Sequence, residues 1–417
     1  MVLNKSNLVV DPSNSLAPEL LPTTAAELRE RRGFRFVLAA TTAMMAGASA
    51  PSPFYPVIQA ELGFTPVMTT TVFAVYAVAL LATLLVAGSL SDHLGRRPMI
   101  SVGFGLLALS VLLFSHAESA TGFIAARVLQ GITSGLLLST LAATVVDLEP
   151  RNRPGTAAAW NSVTAMTGLA TGALIAGFVL DRVGDDASTA VFGAFAGLYL
   201  LMAVEIWHLP ETAPRHHGVW ASLRPSAALP KEIRTTFLQS APAVFAGWAT
   251  GGLYLSLGPA VVATQLHRTS HLPQSLVVTI LAGSGALAGY LIRRRTPRTI
   301  TLYGTTALAV GSACTLGALA LESLSLYYLA VMIAGTGFGT AFSGVLRSIT
   351  PLTRPENRAE VLAAIFVVSY TAFGVPAVVA GLLVPHLGLA TTTNWYGTVI
   401  VFLATTATLL RRFGSHV

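Results

Sequence analysis

The chain has 417 residues, 53% of them hydrophobic and 10% charged, with a formal net charge of +7 and a mean hydropathy of +0.68. A soluble domain carries about 25% charged residues, so this composition, with its repeated apolar runs of about twenty residues, predicts a polytopic helical membrane protein. The positive charge does not build a nucleic-acid face, because the bases fall in loops between apolar runs. The lone Cys314 lies within an apolar run, which excludes a disulfide framework or a cysteine-based metal site and reads as a small buried hydrophobe.

Residues 1–33 are polar and lack the apolar core of a cleavable signal, which predicts a cytoplasmic tail ending in a short interfacial helix around Glu27-Leu-Arg29-Glu30-Arg31-Arg32. Helix 1 is expected near 34–58, closing in the proline-rich run Pro51-Ser-Pro53-Phe54-Tyr55-Pro56. Helices 2 to 6 follow near 67–90, 98–116, 121–146, 155–180 and 188–209. Residues 210–236 carry Pro210, Pro214, Pro225 and Pro230 and read as a cytoplasmic loop linking two bundles. Helices 7 to 12 fall near 237–265, 273–293, 299–320, 325–347, 359–385 and 389–410, leaving a tail at 411–417. The expected fold is an all-α membrane protein, twelve transmembrane helices in two pseudo-symmetric six-helix bundles, 34–209 and 237–410.

The halves echo one another. Pro150-Arg-Asn-Arg153-Pro154 has a weak copy in Pro351-Leu-Thr-Arg354-Pro355, and Gly289-Tyr-Leu291-Ile-Arg293 copies Gly88-Ser-Leu90-Ser-Asp92 with the acid replaced by arginine. All but three of the 25 Lys and Arg residues fall on one side of this plan. The exceptions are Arg182 and Arg268 on the other side and Arg127 inside helix 4. The bias predicts both termini in the cytoplasm.

The densest chemistry is in Gly88-Ser-Leu-Ser-Asp92-His-Leu-Gly95-Arg96-Arg97-Pro98-Met-Ile100, between helices 2 and 3. Its pattern, G-x-L-x-D-x-x-G-R-R-x-x-I, resembles the loop 2–3 signature of the major facilitator superfamily of transporters. That resemblance implies two parallel halves, each built of inverted three-helix repeats. It also implies a conformational gate of Gly88, Asp92, Gly95, Arg96, Arg97 and Asp147, with Asp147 paired to Arg96 or Arg97 and Asp92 facing the start of helix 11 near Ala359. The alternative is a solvated surface cluster.

Arg127-Val-Leu-Gln130-Gly131 resembles the helix 4 signature of the proton-linked exporters of the superfamily, implying a coupling role for these three positions. A cation inside a membrane helix is costly and should face a cavity or a partner, unless it snorkels to the outer surface. Gly168-Leu-Ala-Thr-Gly172-Ala173-Leu-Ile-Ala176-Gly177 resembles the antiporter signature of helix 5, with Ala173 where a proline is expected and Ala176 where a glycine is. A plain small-residue packing face accounts for Gly168, Gly172 and Gly177 equally well.

The family plan lines a substrate cavity from helices 1, 4, 7 and 10, flanked by 2, 5, 8 and 11. Candidate lining residues are Phe54, Tyr55, Gln130, Ser134, Trp248, Tyr254, Ser343, Phe366 and Tyr370, whose aromatic bodies and polar tips suit an amphipathic ligand. No Asp or Glu lies at mid-helix; Glu61, Glu118, Asp181 and Glu322 sit at outer ends and Glu205 near the inner end of helix 6. No nucleotide-binding loop and no metal-ligand spacing of His is present, so no cofactor, metal or catalytic group is expected, nor an enzyme. The expected function is secondary active transport by alternating access, as proton-coupled efflux of small amphipathic drugs or metabolites. The partners are a small-molecule substrate, protons and the lipid bilayer, with no nucleic acid, and the chain is expected to be a monomer. The alternatives are a facilitator or importer of a small metabolite, or a lipid flippase on the same fold.

Overall fold

The computed structural model describes residues 25–150, 156–213, 229–354 and 357–413. The first 24 residues and the arginines at 151, 153, 215 and 224 lie outside the described residues. The described chain is helical: α1 (Ala25–Ser49), α2 (Tyr55–Leu62), α3 (Pro66–Ala87), α4 (Leu90–Leu94), α5 (Arg96–Ser115), α6 (Ala120–Asp147), α7 (Thr156–Val183), α8 (Ala187–Glu205), α9 (Lys231–Ser256), α10 (Gly258–Thr264), α11 (His271–Leu291), α12 (Pro297–Ala320), α13 (Leu324–Ile349) and α14 (Arg358–Phe413).

Eight apolar segments are long enough to cross a bilayer, and two of them, Thr156–His208 and Glu360–Phe413, are 53 and 54 residues long. A span needs about 20 residues, so each of these two holds a pair of crossings. In α14 the pair is divided at Gly388, whose φ of 78° leaves helical geometry. α1 and α9 open on charged turns and supply the two remaining crossings of the twelve-helix plan.

The helix starts follow local chemistry. Thr65, Ser119, Thr296 and Ser323 each accept a backbone N–H from the first turn of α3, α6, α12 and α13. Pro66 and Pro297 stand where no helical N–H is needed. Inside the membrane, threonine and serine hydroxyls donate back to carbonyls one turn earlier, as Thr140 does to Leu136 and Thr305 to Thr301.

One pairing order occurs twice. In the N-terminal bundle α1 packs on α7, α3 on α6, and α5 on α6 and α8. In the C-terminal bundle α9 packs on α14, α11 on α13, and α12 on α13 and α14. The bundles meet where α7 packs on α11 and α3 on α14. Trp160, near the start of α7, lies 5.9 Å from Tyr290, near the end of α11, so the arginine-rich ends of the two bundles share one side, called the basic face below.

Several boundaries or placements differ from the sequence expectation, among them helix 7, which breaks at Leu257 into α9 and α10. Helix 1 breaks at Ser49 into a short 3₁₀ turn, Ser52–Phe54, and then α2, because Pro51, Pro53 and Pro56 lack the N–H that a continuous helix needs. α9 begins at Lys231, just after Pro230, rather than near 237. Cys314 is exposed on the side of the bundle: an apolar run reads alike whether it faces protein or lipid.

Candidate transport site and gates

Glycine and charge build the loop between α3 and α5. Gly88 ends α3, and Gly95, at φ 96°, turns the chain into α5. A Cβ on Gly95 would lie 2.9 Å from Glu211 Oε2, so the turn also lets that carboxylate in close. Glu211 accepts the Arg96 N–H at 2.8 Å and the Arg97 N–H at 3.2 Å, capping the positive end of α5. The Arg96 guanidinium reaches Asp92, Ser91 and, through Nε at 3.2 Å, Asp147. Thr212 donates to the same Asp147 oxygen at 3.0 Å. Arg97 donates to the Trp207 carbonyl at 2.6 Å and stacks on its ring. The loop thus ties together the ends of α3, α5, α6 and α8. Asp92 faces Arg96 here; the side chains of Arg358 and Ala359 lie outside what is described, so its approach to helix 11 does too. Glu149 caps α7 in the same manner, accepting the Ala157 N–H at 2.7 Å. Neither Glu211 nor Glu149 stands out in the sequence. Their only signal is an acid within reach of a helix start.

Arg127 is 1% exposed and does not reach a surface. Its guanidinium donates to Gln130 Oε1 and lies 4.4 Å from the Tyr76 ring centroid. Gln130 in turn donates to Gly47 O of α1 at 2.9 Å. No carboxylate pairs with Arg127 among the described residues. Its Nε and the buried Tyr55 hydroxyl have no protein partner there. Ser134 is buried one helical turn further along α6. Gly131 lets α6 close on α3: a Cβ there would lie 2.7 Å from Ala79 Cβ.

The helix 5 glycines divide between two neighbours. A Cβ on Gly168 or Gly172 would run into α1 at Thr42 and Ala46, and one on Gly177 would run into Ser275 of α11. Gly177 therefore belongs to the seam between bundles. Beyond it, Asp181 accepts the His271 and Leu272 N–H groups at 2.6 and 2.8 Å, capping α11 from across the seam. Ser52 donates to Leu255 O at 2.5 Å on the same side. These bonds join the bundles on the face opposite the basic one, while at the basic end α7 and α11 touch through Trp160 and Tyr290, 5.9 Å apart by ring centroids. A cavity of about 670 Å³ lies in this seam, lined by Tyr55, Gln59, Phe64, Ser256 and Leu389 among others.

The remaining candidates separate. Trp248, Phe366 and Tyr370 form one aromatic cluster with Phe342 and Phe373, Trp248 lying 4.9 Å from Tyr370 and 5.8 Å from Phe373 by ring centroids. Phe73 of the N-terminal bundle joins it at 4.8 Å from Phe373. Phe54 packs inside its own bundle on Phe192, Tyr254 bonds Thr315 inside the C-terminal bundle, and Ser343 donates to its own helix at Thr340 O. Phe73, Phe342 and Phe373 were not singled out from sequence, because a phenylalanine in a membrane helix carries no sign of which way it points.

A buried, unpaired arginine and an aromatic cluster between two like bundles define a membrane transporter. The family model of the Major Facilitator Superfamily matches residues 37–377, and the chain belongs to that family. It is 30% identical over 156 residues to an uncharacterized MFS-type transporter of Mycobacterium tuberculosis, a stretch that takes in 36% of this chain and only 27% of that protein. It is 25% identical over 307 residues to the multidrug resistance protein MdtL of Klebsiella pneumoniae, covering 71% of this chain and 76% of the relative. Its fold is similar to a bacterial homolog of the human lysosomal transporter Spinster in an inward-facing, unoccupied conformation, with a TM-score of 0.72 at 14% identity, covering 92% of this chain and 97% of that one.

Proposed function

We propose that this chain is a proton-coupled exporter of small amphipathic drugs or metabolites, working as a monomer by alternating access in an inner membrane. Its basic face is the cytoplasmic one, with both termini there, the bundles spanning 34–209 and 237–410 and the loop 210–236 joining them. The face closed by Asp181 and Ser52 is then the outer one. The likeness to multidrug resistance proteins supports export. The observation that carries the reading is Arg127. A cation at 1% exposure inside a bilayer is expensive, and it is kept here with no acid beside it among the described residues. Such a group serves by what it binds or repels as substrate and proton exchange.

The test is gradient-driven transport in everted vesicles. Arg127→Ala should abolish it. Arg127→Lys should restore little, because a lysine cannot both bond Gln130 and lie flat on Tyr76. Normal turnover in Arg127→Lys removes Arg127 from the mechanism. Transport that ignores collapse of the proton gradient favours the facilitator reading, which the lack of a mid-membrane carboxylate supports.

Charge also sets the substrate. Bringing a permanent cation beside Arg127 costs several kcal/mol without a paired anion, so neutral, zwitterionic or anionic amphipaths are preferred. In an efflux-deficient host, resistance to a neutral compound such as chloramphenicol should rise more than resistance to ethidium; the reverse order overturns this. For topology, in a background with Cys314 removed, Arg182→Cys and Arg268→Cys should label from outside, and Arg153→Cys and Arg295→Cys from inside.

A further inference from the structure

The C-terminal bundle gathers Arg293, Arg294, Arg295, Arg298, Arg347, Arg411 and Arg412 at its basic face. Among the described residues none of them meets a carboxylate, since the only ion pairs are those of Arg96. Where they bond, they bond neutral oxygens: Arg293 to Tyr290 O, Arg347 to Arg293 O at 2.8 Å, Arg298 to Arg412 O at 3.3 Å, and Arg411 to Ser348 Oγ at 2.6 Å. Arg294, Arg295 and Arg298 are exposed.

Directly beside this cluster a groove of about 650 Å³ runs between α12 and α13, lined by Thr299, Tyr303, Thr306, Val310, Met332 and Thr336 among others. It opens sideways: Tyr303 is 42% exposed, and Val310 and Met332 are each 47% exposed. Arg298 stands one turn before Leu302, another lining residue, so the charge sits at the mouth of the groove. From Thr299 to Val310 the helix advances about 16 Å at 1.5 Å per residue, which is about half of a hydrocarbon core of about 30 Å. The groove therefore runs the depth of one leaflet, from the arginines to mid-span.

We propose that this groove and the arginines above it form a site for one anionic phospholipid. The phosphate is held by Arg298 with Arg294 and Arg295, and one acyl chain lies between α12 and α13. The phosphodiester supplies the negative charge that no described carboxylate brings to these arginines, and the groove supplies an apolar seat of matching depth. The matching loop of the N-terminal bundle is not open in this way, because Arg96 and Arg97 are already occupied by Asp92, Asp147 and Trp207.

The experiment is native mass spectrometry of the purified full-length chain in detergent, titrated with phosphatidylglycerol or phosphatidylcholine. Phosphatidylglycerol should be retained preferentially. Arg298→Gln should reduce its retention about fivefold, and the triple change Arg294→Gln, Arg295→Gln, Arg298→Gln should reduce it further. Thr306→Trp, which fills the groove and leaves every charge in place, should also lose the lipid, and it tests the site should the triple variant fail to fold. Equal retention of the two lipids overturns the proposal. So does undiminished retention in Thr306→Trp, which would make the arginines a diffuse charged surface. Displacement of the lipid by millimolar inorganic phosphate would equally show that no acyl chain is seated.

Discussion

The two bundles pair their helices in the same order, yet the loops on their basic faces are wired in opposite ways. In the N-terminal loop one arginine, Arg96, meets two carboxylates, and a third carboxylate, Glu211, caps the helix that Arg96 begins. In the C-terminal loop Arg293 occupies the place of Asp92, and Ser348 the place of Asp147, counting back from the prolines at 351 and 150. There Arg293 bonds a carbonyl and stacks on Tyr290 at 3.8 Å, while Ser348 accepts from Arg411. The backbone plan was kept and the charges were exchanged. A loop whose charges are matched internally moves as one rigid piece and asks nothing of its surroundings. A loop with only cations needs a counter-ion from outside.

The largest effect expected from breaking this contrast is at Arg96. Its side chain is 11% exposed and Asp147's 30%, so the pair lies between a surface bridge and a buried one. Arg96→Ala leaves Asp92 and Asp147 without the cation they share, at a cost on the order of 2 kcal/mol. Transport should be abolished and the melting temperature should fall by several degrees. Wild-type melting and transport in Arg96→Ala would mean that the network is ornamental.

Asp92→Asn should have an intermediate effect. The Asp92 side chain is 47% exposed, and Arg96 keeps Asp147 when Asp92 is neutral. Expression and melting should stay near normal while transport falls several-fold, read in the same vesicles. Full activity would limit Asp92 to a structural part in the loop.

How far this wiring could be read in advance depended on distance along the chain. Asp92, Arg96 and Arg97 lie in one loop, and their spacing announces a charged turn. Asp147 was placed opposite them only through the family resemblance, and the structure selects Arg96 over Arg97 as its partner. Glu211 was missed: it lies 115 residues from Arg96, and in a polar segment an acid that caps a helix looks like any solvated one. Arg127 was legible as misplaced because a charge in an apolar run is rare, whereas its partner Tyr76, and Gly47 behind Gln130, were not, since an aromatic and a glycine are ordinary in membrane helices. The same indifference hid the inward turn of Phe373, the exposure of Cys314 and the packing of Phe54 within its own bundle. In a soluble helix a polar stripe marks the outer face; lipid erases that mark, and only glycines at close crossings and stray charges remain to be read.

The smallest effect is expected at Arg293, and it sharpens the comparison most. Its guanidinium bonds one carbonyl three residues away and stacks on Tyr290, a side chain 38% exposed. A cation–π contact at such a site contributes about 0.5–1 kcal/mol. The link that joins this loop to α13 uses the Arg293 backbone, because Arg347 Nη1 donates to the Arg293 carbonyl. Arg293→Ala keeps that carbonyl, and it also relieves repulsion among the neighbouring arginines. Transport should stay above about half of wild type and the melting temperature should change little, on the scale of that one contact. Measured beside Arg96→Ala in the same vesicles, this gives two arginines at matching loops and two unlike outcomes. Equal losses in both would show that the C-terminal loop carries as much of the gate as the N-terminal one, through a partner its arginines find outside the described chain.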